Sequence, residues 1–264
     1  MKDVIKKWYY KLGFTQSMDS AFESALNSAR LDDTFTIESY NTKETDGTKN
    51  LLYFLYFCES LEKRYQEKGI PQKILTDTLS DIVIWTKIWS ELKGELYLGE
   101  LEWLKRHLEG RLFRLGRLQF CMADSEFDIP EKGLAKGESV VEVHIPEGEP
   151  LSRQACLDSL DMARDFFARY YPEFDYSLFT CHSWLLDNSL CEFLHPDSNI
   201  LKFGGLFKIV HNDPSDALFG YLFKWGAKRE QLDALTPSSS LAAKVKKAAK
   251  NQRVFYESLG YIVK

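Results

Sequence analysis

Between residues 49 and 67 the apolar side chains Leu51, Phe54, Leu55, Cys58, Leu61 and Tyr65 recur at three- and four-residue steps, which lines them along one stripe of an α-helix. Gly69 and Pro71 close that helix and open the next, glycine past an end and proline near a start. Leu75, Leu79, Ile82, Trp85, Trp89 and Leu92 repeat the stripe and predict one helix over 72–92. Leu98, Leu101, Leu104 and Leu108 predict another over 97–108, ended at Gly110. Shorter helices are expected at 3–10 and 18–29, with the polar stretch 41–49 as a loop. The three longer helices should pack on one another.

Past Gly110 the period changes to two, the signature of strands. In 111–122, Leu118, Phe120 and Met122 alternate with Arg117, Gln119 and Cys121. In 139–145, Val141, Val143 and Ile145 form one face, and Glu142 and His144 the other. A Pro/Gly-bearing connector, 124–137, joins these strands. Ser152 is a good N-cap for a helix over 153–170, whose buried line is Cys156, Leu160, Ala163, Phe167 and Tyr170. Strands are expected at 176–186 and 199–211 with a short helical piece at 189–194 between them. A helix at 213–225, a basic helix at 239–252 and a strand at 254–263 complete the chain. The fold class is therefore α+β: a helical N-terminal domain, 1–110, followed by a mixed β-sheet domain with flanking helices, 111–264.

Thirty-nine acidic against 34 basic residues give a net charge of -5, which supplies no general attraction to a phosphate backbone, so nucleic acid is not expected as a partner. No apolar run reaches the ~18 residues that a membrane span requires. Residues 1–12 carry four lysines where a signal peptide would be continuously apolar, so a cytoplasmic location is expected. The five cysteines form no CxxC pair and suit reduced packing residues, and no His or Cys spacing suggests a metal site.

Several ordered segments of the second half carry a family resemblance: RLFRLGRLQF (111–120), VVEVHIPEGEPLS (140–152), ARDFFARYYPEF (163–174), TCHSWLLD (180–187) and SNILKF (198–203). In these the chain resembles a bacterial family of N-acyltransferases with a helical N-terminal domain and a GNAT-like C-terminal domain. The resemblance implies a twisted mixed sheet whose splayed strands admit acyl-CoA, such as acetyl-CoA, as co-substrate. It also implies an amine acceptor, a small molecule or a peptide, that attacks the acyl carbon. A monomer or a homodimer is compatible with it. The alternative is a catalytically inactive GNAT-like scaffold that binds a ligand or a protein.

That alternative arises because the Arg/Gln-x-x-Gly-x-Gly/Ala loop with which such proteins cradle the coenzyme A pyrophosphate has no counterpart. The segment before the 153–170 helix, Pro146-Glu147-Gly148-Glu149-Pro150, offers prolines without N–H groups and two negative charges. Gly204 and Gly205 permit close backbone approach, although glycines within a strand also mark bulges. Lys247, in the basic set Lys244, Lys246, Lys247, Lys250 and Arg253, can meet phosphate, or can be part of a solvated helix face. For proton transfer, Glu142 and His144 lie roughly 7 Å apart on one strand face, close enough for a bridging water. His182 is a further candidate, against the reading of a buried, hydrogen-bonded histidine.

Overall fold

The computed structural model describes residues 1–32, 34–37 and 46–264; residues 41–45 of the expected polar loop lie outside them. The described residues form two compact units. One comprises Met1–Leu115, Gln119–Cys121 and Phe166–Tyr171, and the other Gly116–Leu118, Met122–Asp165 and Pro172–Lys264. A helical N-terminal region is followed by a mixed sheet with helices, the α+β organisation expected.

The first unit holds α1 (Lys2–Leu12), α2 (Asp19–Ser28), α3 (Gly47–Lys68), α4 (Gln72–Leu79), α5 (Asp81–Lys93) and α6 (Leu101–Leu108). The stripe of α3 is buried as predicted. The helix starts earlier than its apolar pattern because the Asp46 carboxylate accepts the Lys49 N–H at 3.0 Å, a capping bond. Lys7 pairs with Glu59 and Glu62 at 2.8 and 3.1 Å, Lys11 reaches Glu62 at 2.5 Å, and Trp8 Nε1 donates to Glu59 at 2.9 Å. Burial alone would raise the Glu62 carboxyl. The two lysines reverse this and hold it below its ordinary range, so α1 is clamped to α3 by charge as well as by apolar contact.

The single helix expected over 72–92 is two. At Ser80 the hydroxyl bonds back to the Asp77 carbonyl at 2.7 Å, and the chain turns between α4 and α5. The apolar period runs through this break and hides it. The helix expected over 97–108 starts only at Leu101. Glu100 sits at φ 55°, in the left-handed region, and the Tyr97 N–H donates to Ser90 Oγ rather than to a helical carbonyl.

Among the described residues the six strands are β1 (Leu112–Leu115), β2 (Leu118–Asp124), β3 (Ser139–His144), β4 (Leu178–Ser183), β5 (Lys208–Pro214) and β6 (Tyr256–Val263), in sheet order β1-β2-β3-β4-β6-β5. The one strand expected over 111–122 is thus a hairpin. Its turn passes through Gly116 at φ 72°, where an added Cβ would come within 2.8 Å of Ser159 Oγ. That hydroxyl accepts the Arg117 N–H at 2.8 Å.

Helix α7 (Arg153–Tyr170) carries the chain from β3 to β4, the crossover that a parallel pair requires. Its predicted buried line holds at Cys156, Leu160, Ala163 and Phe167, while Tyr170 is half-buried. The segment 199–211, expected as a strand, opens as α8 (Asn199–Gly204), because Ser198 Oγ accepts the Ile200 N–H at 3.2 Å and caps a helix. Helix α9 spans Ala217–Leu222, so Asp213 belongs to β5 and not to the expected helix 213–225. The basic helix α10 (Ser240–Lys250) buries Leu241, Val245 and Ala249 in a cluster with Trp184, Leu218, Phe219 and Phe255. Among the described residues, no helix is long and apolar enough to cross a membrane.

In the helical unit Asp81 and His107 are both buried, with Asp81 Oδ2 3.2 Å from His107 Nε2 and 2.7 Å from the donating Trp103 Nε1. Burial pushes the Asp81 carboxyl upward, but His107, Trp103 and Gln119 overturn that and hold it below its ordinary value of 3.8. A depressed folded-state pKa gives stabilisation that is complete above the unfolded value and lost as pH falls through the folded one. Asp81→Asn should therefore cost about 3 kcal/mol at pH 7 and a smaller amount near pH 3, in urea unfolding followed by circular dichroism. An unchanged midpoint at pH 7 would show that the charge contributes nothing.

Candidate functional site

Strands β3 and β4 run parallel and are in register at only two positions, Val141 opposite Phe179 and Glu142 opposite Thr180. Strand β4, by contrast, pairs with β6 along its whole length, from Leu178 opposite Val263 to Ser183 opposite Ser258. No register pair follows Glu142 and Thr180, so the parallel ladder ends there. Val143 and Val141 face the buried side of the sheet, and Glu142 and His144 stand on the other.

On that second face Glu142 Oε2 and His144 Nε2 are 3.2 Å apart, with about a quarter to a third of each side chain exposed. The two side chains meet directly. By register and pleat Thr180 and His182 share this face. His182 is not the buried histidine of the conservative reading: its side chain is 34% exposed, and Nε2 lies 3.4 Å from Asp213 Oδ2. The other oxygen of Asp213 is 2.8 Å from His211 Nε2. Phe127, from the connector between β2 and β3, packs its ring edge-on to His182 at 5.3 Å and tilted to His211 at 5.4 Å.

The connector is fixed over the remainder of this face. Ile129 and Leu134 bury against Val140, Leu178 and Tyr261, while the Glu131 carboxylate accepts from the Tyr261 hydroxyl at 2.7 Å and pairs with Lys208 at 2.8 Å. Cys181 points to the opposite side, facing Gly260 across the ladder. Burial, and then the Glu142 charge, push its thiol well above the ordinary range, so it is a packing residue and no nucleophile.

The sequence-predicted cofactor residues fare differently. Gly204 and Gly205 lie at the end of α8, not within a strand, and the Gly205 N–H is already donated to the Leu201 carbonyl at 2.9 Å. A helix C-terminus presents carbonyls and a negative partial charge, the wrong end for a phosphate. In the basic set, Lys244 donates to the Phe193 carbonyl, Lys246 to the Leu235 carbonyl, Lys250 pairs with Asp233 and Arg253 with Glu192. Lys247 is exposed and takes part in none of these bonds.

The acidic 146–150 loop follows β3 directly. Its Pro146 and Glu149 carbonyls accept from the Arg117 guanidinium at 2.9 and 2.6 Å, and Ser152 Oγ then caps α7 through the Ala155 N–H at 3.3 Å. The sequence reading missed Asp213, His211 and Phe127. The alternation of His211 and Asp213 ahead of Pro214 was the available signal, but it was divided between the end of the expected strand 199–211 and the start of the expected helix 213–225. Among the described residues, no group of three or more His, Cys, Asp or Glu is placed to hold a metal ion.

The sequence profile described as a GNAT-like C-terminal domain matches residues 112–262, and that described as an N-acyltransferase N-terminal domain matches 12–110. No curated protein matches the sequence. Among solved structures, an acyltransferase in complex with decanoyl-CoA and teicoplanin is 28% identical, with a TM-score of 0.72, over 82% of this chain and 66% of that one. An acyltransferase in complex with decanoyl-CoA is 30% identical, with a TM-score of 0.71, over 80% of this chain and 64% of the other. This chain thus spans slightly under two-thirds of those two proteins. An acyltransferase mutant in complex with octanoyl-CoA, at 23% identity, shares the fold with a TM-score of 0.82 over 100% of this chain and 88% of its own.

Four of the five cysteines are buried, and Cys191 alone is exposed, contrary to the expectation that all five serve packing. Brief treatment of the native protein with N-ethylmaleimide at pH 7 should add a single adduct, at Cys191. Intact-mass and peptide analysis checks this, and early labelling of Cys181 would contradict the burial described.

Proposed function

Because the chain belongs to the N-acyltransferases that carry a GNAT-like C-terminal domain, we propose that it transfers an acyl group from acyl-CoA to an amine on a small-molecule or peptide acceptor. The observation that carries this reading is the end of the parallel β3–β4 ladder beside the Glu142–His144 pair. Where a parallel ladder ends, backbone N–H and C=O groups that would have paired are left to bond the amides of a pantetheine arm, which then lies next to a carboxylate–imidazole pair. The solved acyltransferases with decanoyl-CoA, one of them also with teicoplanin, support an acyl-CoA donor and an acceptor of appreciable size. The reading treats 1–110 and 111–264 as the two domains, in a cytoplasmic protein.

An amine reaches the site as an ammonium ion and must shed two protons, one before it can attack and one as the C–N bond forms. The nitrogen attacks the thioester carbonyl, the C–S bond breaks, and one proton ends on the coenzyme A sulfur while the other goes to solvent. His144 takes the proton released during attack, and Glu142, facing Nε2, stabilises the imidazolium that results. Lys247, exposed on α10, meets a phosphate of the donor as a point charge at the helix surface.

Octanoyl-CoA or decanoyl-CoA should raise the melting temperature of the protein, and no shift at saturating concentrations would remove the reading in favour of a scaffold without acyl-CoA chemistry. His144→Ala and Glu142→Gln should each lower kcat for thiol release by about 100-fold while leaving that melting shift in place. Lys247→Ala should weaken octanoyl-CoA binding about threefold, as expected for one exposed charge, with kcat unaltered; calorimetric titration measures it.

A further inference from the structure

Strands β4 and β5 are not neighbours, since β6 runs between them. At about 4.8 Å per strand step their backbones lie roughly 10 Å apart, so His182 and Asp213 meet only by leaning toward each other over β6. What permits this is a register shift in β5. Ile209 lies opposite Gly260, but His211 and not Val210 lies opposite Leu259, and Asp213 lies opposite Glu257. An uninterrupted ladder from Ile209 would set Val210 and Asn212 on the face of Leu259 and Glu257 and turn His211 and Asp213 to the other side. The bulge exchanges these alternatives, which is what bulges beside functional sites do.

From this geometry we propose that Asp213 is a positioning residue for His182: it holds the ring through Nε2 and leaves Nδ1 to take the first proton from the acceptor ammonium. The inference rests on the acyltransfer reading and assigns the second proton-handling group that reading needs. Three features converge on it. Asp213 Oδ2 faces His182 Nε2 at 3.4 Å, while Oδ1 is anchored by His211 Nε2 at 2.8 Å, so the carboxylate is fixed from its far side. Phe127 contacts both imidazoles and limits their rotation. No lysine or arginine pairs with Asp213 among the described residues, and Glu257, opposite it in the ladder, is occupied by the Ser215 hydroxyl at 2.7 Å. His182 makes no other side-chain hydrogen bond or ion pair among them, so Nδ1 is open.

In the step itself the ammonium N–H bond breaks and its proton passes to His182 Nδ1. The neutral amine, with its lone pair free, then attacks the thioester as above, and the imidazolium returns its proton to solvent, so His182 is unchanged over a turnover. A carboxylate beside Nε2, here at an ion-pair distance of 3.4 Å, favours the Nε2–H tautomer, in which Nδ1 carries the lone pair.

The test is nitrogen-15 imidazole NMR of the full chain, in which only five histidines must be assigned. In the wild-type protein neutral His182 is expected as the Nε2–H tautomer. In Asp213→Ala it should become a mixture, Asp213→Glu should restore it, and His144 should not change in either. With octanoyl-CoA as donor and benzylamine as probe acceptor, Asp213→Ala should lower kcat about tenfold with KM for octanoyl-CoA unchanged, and Asp213→Glu should recover most of it. A wild-type His182 in the Nδ1–H form, or a tautomer indifferent to Asp213→Ala, overturns the proposal. So does an unaltered kcat in a variant whose tautomer has become mixed. Absence of any thiol release by the wild-type protein would instead remove the acyltransfer reading, and with it the proton role of His182, while the NMR result would still decide whether Asp213 sets the ring.

Discussion

Strand β4 has two neighbours that make incompatible demands. Its antiparallel partner β6 accompanies it from Leu178 to Ser183, whereas its parallel partner β3 accompanies it only at Val141 and Glu142. Adjacent strands rotate with respect to each other by about 20–25°, and a strand bonded fully on one side follows that side's twist. The parallel ladder therefore ends while β4 remains with β6, and it ends toward the part of each strand that carries His144 and His182. The crossover helix α7 keeps the pair parallel through its buried line. The Arg117 contacts to the carbonyls of Pro146 and Glu149 hold the loop that enters it.

The same face illustrates how a sheet gathers polar chemistry without burying it. Ile129 and Leu134 cover one end of the face with apolar contacts, and the uncovered end displays two imidazole–carboxylate groupings, each between a quarter and a half exposed. At such exposure these ion pairs contribute little to stability. Their value is geometric. The Asp81–His107 pair in the helical unit, with the part-buried Trp103 donating to it, is the reverse case: both charged partners are buried, and protonation of the carboxylate would remove its interactions with His107 and Trp103.

Much of this was legible in the residue pattern, for stated reasons. Helical stripes were read well in α3 and α7 because a wide apolar face repeats at 3.6 residues, and the Glu142–His144 pair was read from period-two alternation on β3. The break at Ser80 was not, because the apolar spacing of α4 continues in phase into α5. The hairpin at Gly116 was not, because one alternation was read through the turn between Leu115 and Leu118, although β2 in fact buries Gln119 and Cys121 as well as Leu118 and Phe120. Helix α8 is too short for its period to outweigh its strand-like residues. The pairing of Asp213 with His182 was missed for a different reason. It depends on a one-residue register slip in β5 and on a strand, β6, that enters the chain more than forty residues later.

The position of β6 has a consequence for how the molecule comes into being. The last strand in chain order lies inside the sheet, between β4 and β5, so during synthesis β4 and β5 wait with open edges until Tyr256–Val263 has emerged. Such long-range pairing is slow and leaves partly assembled chains prone to sticking. The histidine–aspartate contact across β6 therefore cannot predate completion of the sheet, and a nascent chain carries no working version of that face until its final strand is docked.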